Sequence, residues 1–201
     1  MARLLFTSRN FGSLSDPIDI TQSKALAKLV GKPIQFMQQT HSNNILVVDS
    51  VNNIVEDTDS LITSDDSVAL AVRVADCIPL LLYSSKLVAA VHVGRKGLLN
   101  NVAQLTIQKM QSLGALEITG VVGPHICGDC YEVDEKMANE IHATHPATAG
   151  KARHLNLFNG LQAQLPGISL SNMNICTKEN YQYFSFRANN ESGRQVGVIS
   201  R

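Results

Sequence analysis

The chain has 201 residues, the size of one domain or at most two small ones, and is long enough to bury a full core without disulfide staples. Lys plus Arg and Asp plus Glu each number 17, so the formal net charge is zero, which argues against a general electrostatic grip on nucleic acid or an anionic membrane. Charged residues make up 17%, with 15 Asn and 11 Gln supplying other surface polarity, a balance that fits a compact domain with a small-molecule task.

Taken in chain order, Leu4–Thr7 reads as a first strand. Its three consecutive apolar residues are too few for a signal-peptide core. Thr21–Val30 reads as a helix, with Thr21 as cap, Ala25, Leu26, Leu29 and Val30 as the apolar face, and Gly31 before Lys-Pro as the stop. Ile34–Met37 and Asn44–Asp49 are predicted strands around Gln38-Gln39-Thr40-His41-Ser42. Ser67–Val74 is strand-like and ends at Ala75-Asp76-Cys77, and Ile78–Tyr83 and Leu87–Val93 are apolar runs of buried-strand length. Neither run exceeds seven residues, whereas a membrane span needs about 20; the expected location is cytoplasmic.

Gly94-Arg95-Lys96-Gly97 leads into an amphipathic helix with Leu98, Val102, Leu105, Met110 and Leu113 on one face and Gly114 at its end. Glu117–Val122 reads as a strand, Asp134–His145 and Asn156–Leu165 as helices, and Asn174–Thr177, Phe184–Arg187 and Gln195–Ile199 as closing strands. No repeat or linker divides the chain, so residues 1–201 are expected to form a single domain. Strands and helices mix without strict alternation, which predicts an α/β (α+β) fold with a mixed β-sheet covered by helices.

Three metal-competent side chains sit at predicted strand ends: His41, Cys77 and His92. Loops held by a rigid sheet are where sites are usually built, and one Cys with two His suits zinc with a fourth position open. The spacing matches no zinc-finger pattern, and buried histidines beside an inert core cysteine are the bland alternative. Cys77 and His92 could also form a thiolate nucleophile with its base. Asp76 could orient a neighbour or shuttle a proton, or serve as a turn residue before Pro79.

Gly94-Arg95-Lys96-Gly97 before a helix is a candidate anion cradle or a solvated basic turn. The segment Gly123–Val133 packs two cysteines, a histidine and a tyrosine into a short stretch. Its Cys127-x-x-Cys130 lacks a second C-x-x-C to complete a four-cysteine zinc site; a thioredoxin-like redox pair and a tightly packed crossover are the alternatives. Cys77 and Cys176 complete a set of four cysteines, too sparse for a disulfide framework. Arg187 on an apolar segment calls for an anionic partner, either a protein carboxylate or a ligand phosphate.

Together, Gln38-Gln-Thr-His41, Ala75-Asp-Cys77-Ile-Pro79, His92-Val-Gly-Arg-Lys-Gly97, Gly123-Pro-His-Ile126 with Cys130-Tyr-Glu-Val133, Cys176-Thr177, and Phe184-Ser-Phe-Arg187 with Gly193-Arg-Gln195 resemble the laccase-domain family, also called YfiH-like or multicopper polyphenol oxidase-like. The likeness runs from Phe6-Thr-Ser-Arg9 to Ile199. It implies an α/β sandwich with a mixed sheet and a zinc held by His41, Cys77 and His92. It also implies purine nucleoside chemistry: phosphorolysis of adenosine, inosine, guanosine or methylthioadenosine, together with adenosine deamination. Nucleoside and phosphate would be the partners of a monomer or small homo-oligomer, with Lys96 and Arg187 attracting phosphate. Copper suits such ligands too, but a laccase needs more histidines than these motifs supply, so zinc is favoured. A Cys–His thiol hydrolase and a metal-binding relative with weakened catalysis are the other readings.

The chain departs from the family in its shell. Arg95-Lys96 stands where Trp-Arg is usual, so Lys96 keeps the charge but loses the bidentate fork. Cys127-Gly128-Asp129 replaces the usual Gly-Pro-Cys, and Ala188 stands where a second Arg is usual. A Ser-Leu-Asn-Leu-Gly segment expected near the N-terminus is missing. The three proposed metal ligands are intact.

Overall fold

A computed structural model describes residues 2–15, 19–51 and 55–201. Its strands are β1 Arg3–Phe6, β2 Ile34–Gln35, β3 Ile45–Val47, β4 Ser60–Thr63, β5 Ala69–Val74, β6 Ile78–Tyr83, β7 Val88–Val93, β8 Thr119–Val122, β9 Ser169–Asn172 and β10 Gln195–Ser200. Its α-helices are α1 Ile20–Val30, α2 Arg95–Leu99, α3 Val102–Ser112, α4 Glu135–Thr144, α5 Leu157–Gln164 and the single turn α6 Phe186–Asn189. A four-stranded sheet has the order β1-β10-β5-β2, and a six-stranded sheet has the order β3-β4-β7-β6-β8-β9. Parallel pairs occur at β2/β5, β3/β4 and β8/β9, and the remaining pairs are antiparallel. The sheets are therefore mixed, as the sequence predicts.

Alternation along the strands builds three stacked cores. Leu70, Val72 and Val74 of β5 meet Leu61, Leu81, Val88 and Ala90 of the six-stranded sheet. On the opposite face of β5, Ala69 and Ala71 join Val196 and Val198 under Leu26 of α1. The outer face of the six-stranded sheet, with Ile62, Leu80, Leu82, Ala89 and Val91, is covered by α3, α4 and α5 through Val102, Ile107, Met110, Ile141 and Leu161. Sheet lies on sheet with helices outside both. Strands buried on two faces have no polar side, which is why β6 and β7 read as continuous apolar runs although they pair antiparallel.

Several local readings need correction. The helix over Leu98–Leu113 is broken at Asn100-Asn101, where Asn101 takes the left-handed φ of 62° and starts α3. Leu113 and, on α1, Leu29 are exposed. Asp19, not Thr21, caps α1 by accepting from Thr21 N and Gln22 N. Asn174–Thr177 forms no strand; Cys176 makes only an isolated parallel bridge with His125. Phe184–Arg187 does not extend either: the Ser185 side chain accepts from Ala188 N and turns the segment into α6. Strands β4 and β9 escape the sequence pattern. β4 carries buried polar ends, with Thr63 donating to Val48 O at 2.6 Å and Ser60 accepting from Thr106 at 2.8 Å. β9 is a half-exposed edge strand.

Leu81 is fully buried between the sheets. Leu81→Ala is expected to lower unfolding stability by about 3 kcal/mol, read as a reduced denaturant midpoint with an unchanged slope.

Candidate metal centre and cavity

Strand register brings one end of the six-stranded sheet to a focus. Pro79 opposes His92 across β6/β7, so Cys77, just before β6, lies beside the end of β7. Ser60 opposes Val91, and His92 N donates to Asp59 O at 2.8 Å. Asn44, at the exit of the His41 loop, accepts from the amides of Asp59 and Ser60. His41, Cys77 and His92 thus come together from three separate segments, with their donor atoms all within 4.8 Å of one another. Cys77 Sγ lies 3.8 Å from His41 Nε2, and the two imidazole rings are 4.7 Å apart edge to face.

Asp59 holds this arrangement and is absent from the sequence-derived site. Its fully buried carboxylate accepts from the amides of Thr40, His41 and Ser42 at 3.1, 3.1 and 2.7 Å and from the Ser42 hydroxyl at 2.9 Å. It also accepts from His92 Nδ1 at 2.6 Å. Burial opposes its charge, but His92 and Ser42 hold the carboxyl below its ordinary value. With Nδ1 committed to Asp59, His92 presents Nε2 to the cluster, the arrangement that orients metal-binding histidines. Asn100 adds a second tether by donating to His41 O at 3.2 Å. The break between α2 and α3 therefore serves the His41 loop, in which His41 itself has a left-handed φ of 63°.

Electrostatics prepares the thiol. Burial would push Cys77 up, but the adjacent His92 and His41 override it and hold the thiol at about 6 instead of near 9. Burial likewise disfavours charge on His92, while Cys77 and Asp59 raise it to about 9. Gly94 keeps the centre of the cluster clear: a Cβ there would stand 2.8 Å from His41 Cδ2 and 2.9 Å from Cys77 Sγ. Zinc with one sulfur and two nitrogen ligands places its donors about 3.5 Å apart. The donor set, its convergence and the space beside Gly94 fit such an ion.

The cluster forms part of the wall of a cavity of about 720 Å³, within the range of small-molecule sites. Arg73, Arg95, Arg187 and Arg194 line it, with Tyr131 and Phe186 among its aromatic surfaces. Arg187 lies 4.7 Å over the Tyr131 ring and donates to Glu132 O at 2.6 Å. Burial raises the Tyr131 phenol against the opposing pull of Arg187, so it remains a neutral donor. Lys96 is exposed and does not line the cavity; its neighbour Arg95 does. Asp76 lines it too, with a left-handed φ of 85°. Its buried carboxylate accepts from Thr177 Oγ1, Ser185 Oγ and Arg187 N, each at 2.7 Å.

Residues 6–201 match the multi-copper polyphenol oxidoreductase laccase family. The chain belongs to this YfiH-like laccase-domain family. The laccase-domain protein is 35% identical over 202 residues to a purine nucleoside phosphorylase of Corynebacterium glutamicum, covering 92% of this chain and 82% of that one. A purine nucleoside phosphorylase of Streptomyces coelicolor is 34% identical over 201 residues, covering 92% and 83% of the two chains. Its fold is shared by YfiH of Bacillus licheniformis, with a TM-score of 0.85, 24% identity, and coverage of 99% of this chain and 92% of that one. YlmD of Geobacillus stearothermophilus gives a TM-score of 0.80 at 23% identity over 100% of this chain and 92% of that one.

Two measurements probe the cluster. In metal-stripped protein, Cys77 alkylation should reach half its maximal rate near pH 6. Because the thiol is lowered, its reactive thiolate persists below the pH at which an ordinary cysteine protonates; His92→Ala should move this midpoint up. Asp59→Asn should weaken zinc binding by roughly 10–100-fold in chelator competition, since it removes the charge that orients His92.

Proposed function

We propose that this laccase-domain protein is a zinc-dependent purine nucleoside phosphorylase. The observation that carries the reading is a His41–Cys77–His92 donor cluster in the wall of a cavity that four arginines also line. The relatives named as purine nucleoside phosphorylases support it. Adenosine, inosine, guanosine and methylthioadenosine are the candidate nucleosides, and inosine from adenosine would reveal a deaminase activity of the same site.

His41 Nε2, Cys77 Sγ and His92 Nε2 would hold the zinc, which when bound supplies Lewis-acid polarisation at the reacting centre. Arg187 and Arg95 attract phosphate into the cavity, and a planar guanidinium fits a phosphate edge. Tyr131 and Phe186 offer ring surface to the purine. In phosphorolysis a phosphate oxygen bonds to the ribosyl C1′ as the C1′–N9 bond breaks. The electron pair passes to the purine, which takes up the proton that dihydrogen phosphate brings, leaving pentose 1-phosphate. Asp76, whose carboxylate already accepts three hydrogen bonds, is assigned to holding the Arg187 segment rather than to moving a proton. Lys96, outside the cavity wall, contributes to the approach of anions from the surface.

The depressed Cys77 thiol and its two histidine neighbours favour a second reading, a thiol hydrolase with Cys77 as nucleophile and His92 as base. Zinc dependence separates the two: added zinc should activate the phosphorylase and inhibit the hydrolase.

Zinc-loaded protein given adenosine and phosphate should yield adenine and ribose 1-phosphate, resolved by chromatography. Arg187→Ala should lower kcat/KM for phosphate by roughly 100-fold. The absence of adenine, hypoxanthine and inosine from zinc-loaded protein would reject the reading.

A further inference from the structure

Cys127, Cys130, Cys176 and Glu179 form a second cluster, with all four donor atoms within 4.8 Å of one another. We propose that these residues bind a second zinc ion, at a place distinct from the His41–Cys77–His92 cluster, in a Cys₃Glu set that staples the 127–130 turn to the 176–179 turn. The linear sequence hides it because its halves are far apart: one reads Cys-x-x-Cys and the other Cys-x-x-Glu. Their backbones match as well as their spacing. Tyr131 N closes the first turn onto Cys127 O at 3.1 Å, and Asn180 N closes the second onto Cys176 O at 3.0 Å.

The two turns are locked side by side. His125 N donates to Ile175 O and Thr177 N to His125 O, both at 3.1 Å, which makes the parallel bridge between His125 and Cys176. Cys127 N donates to Cys176 Sγ at 3.4 Å, an amide-to-sulfur contact that supports a thiolate ligand. Cys130 Sγ lies 3.3 Å from Glu179 Oε1. Tetrahedral zinc with sulfur ligands puts its sulfurs about 3.8 Å apart, so small side-chain rotations close the set. Three thiolates select a borderline-soft divalent ion over magnesium or calcium. All three cysteines are free and half-buried, and Glu179 is exposed, so an ion can enter from solvent.

The staple bears on the cavity wall. Cys130 lines a smaller cavity of about 460 Å³ together with Arg95 and Arg187, which also line the larger one. Tyr131 and Glu132, the next two residues, both hold Arg187. A metal at Cys130 would fix the base on which that guanidinium rests.

Full-length, reduced, chelator-treated protein titrated with Co²⁺ and then Zn²⁺ tests the proposal. Wild type should take up two equivalents. Cys77→Ser should retain one equivalent whose thiolate-to-cobalt charge-transfer band is about three times that of a single-thiolate site. Cys176→Ser should lose that band, with circular dichroism checking its fold. Glu179→Gln, at an exposed position, should keep the fold and weaken the second equivalent by at least about tenfold. A Cys77→Ser protein that binds no cobalt through thiolate overturns the proposal. So does a Cys127–Cys130 disulfide that forms when the zinc-saturated protein is exposed to oxidised glutathione, which takes up the two electrons; that outcome would assign the pair to redox chemistry instead.

Discussion

The site depends on one buried carboxylate. Asp59 has no exposed surface, yet it accepts from three consecutive backbone or side-chain-bearing positions, 40 to 42, and from His92. A buried anion is costly unless its lone pairs are filled, and these donors fill them. Each donor belongs to a segment that carries a metal-competent residue. Removing the charge would therefore loosen His41 and His92 at once, although Asp59 belongs to neither segment. The coupling is possible because β4 and β7 are register partners that set Asp59 opposite His92 before any side-chain contact is made.

A second aspartate repeats the device across the cavity. Asp76 joins the end of β5 to Thr177, Ser185 and the Arg187 amide, residues more than a hundred positions away in sequence. It sits beside Cys77, so a member of the metal-competent cluster and the residue that anchors the cavity-lining Arg187 segment share one turn. The left-handed backbone of Asp76 is sustained by these three hydrogen bonds, which over-determine the turn. Asp59 fixes the His41 and His92 side of the cavity and Asp76 fixes the Arg187 side.

What the sequence reveals follows from whether a signal is local. β5, β6 and β7 are legible as strands, and the helices beginning at Asp134 and Asn156 are legible because each of these side chains accepts from an amide only three residues on. The split at Asn100-Asn101 is not, because its cause is a contact with His41. The single turn α6 is hidden for the same reason: Phe-Ser-Phe-Arg alternates like a strand until Asp76 captures the Arg187 amide. His41, Cys77 and His92 are visible as ligand types at strand ends, and the fold brings them together. Asp59 gives only a weak signal, an acid immediately before the buried Ser-Leu-Ile-Thr of β4.

The Arg95-Lys96 departure also changes meaning in three dimensions. Successive residues of a helix point about 100° apart, so two neighbouring cations on α2 cannot share one environment. Arg95 turns to the cavity and Lys96 to the surface. The position that reaches the cavity is thus the one where the family resemblance expects tryptophan. Relative to an indole, Arg95 trades ring surface for a fixed charge and a planar donor fork. Beside Arg187 and the phenol of Tyr131, that fork adds positive charge to the cavity wall, whose aromatic surface comes from Tyr131 and Phe186. The substitution therefore shifts the balance of charge and ring surface in the cavity wall instead of removing a cation from it, and it leaves the metal-competent cluster untouched.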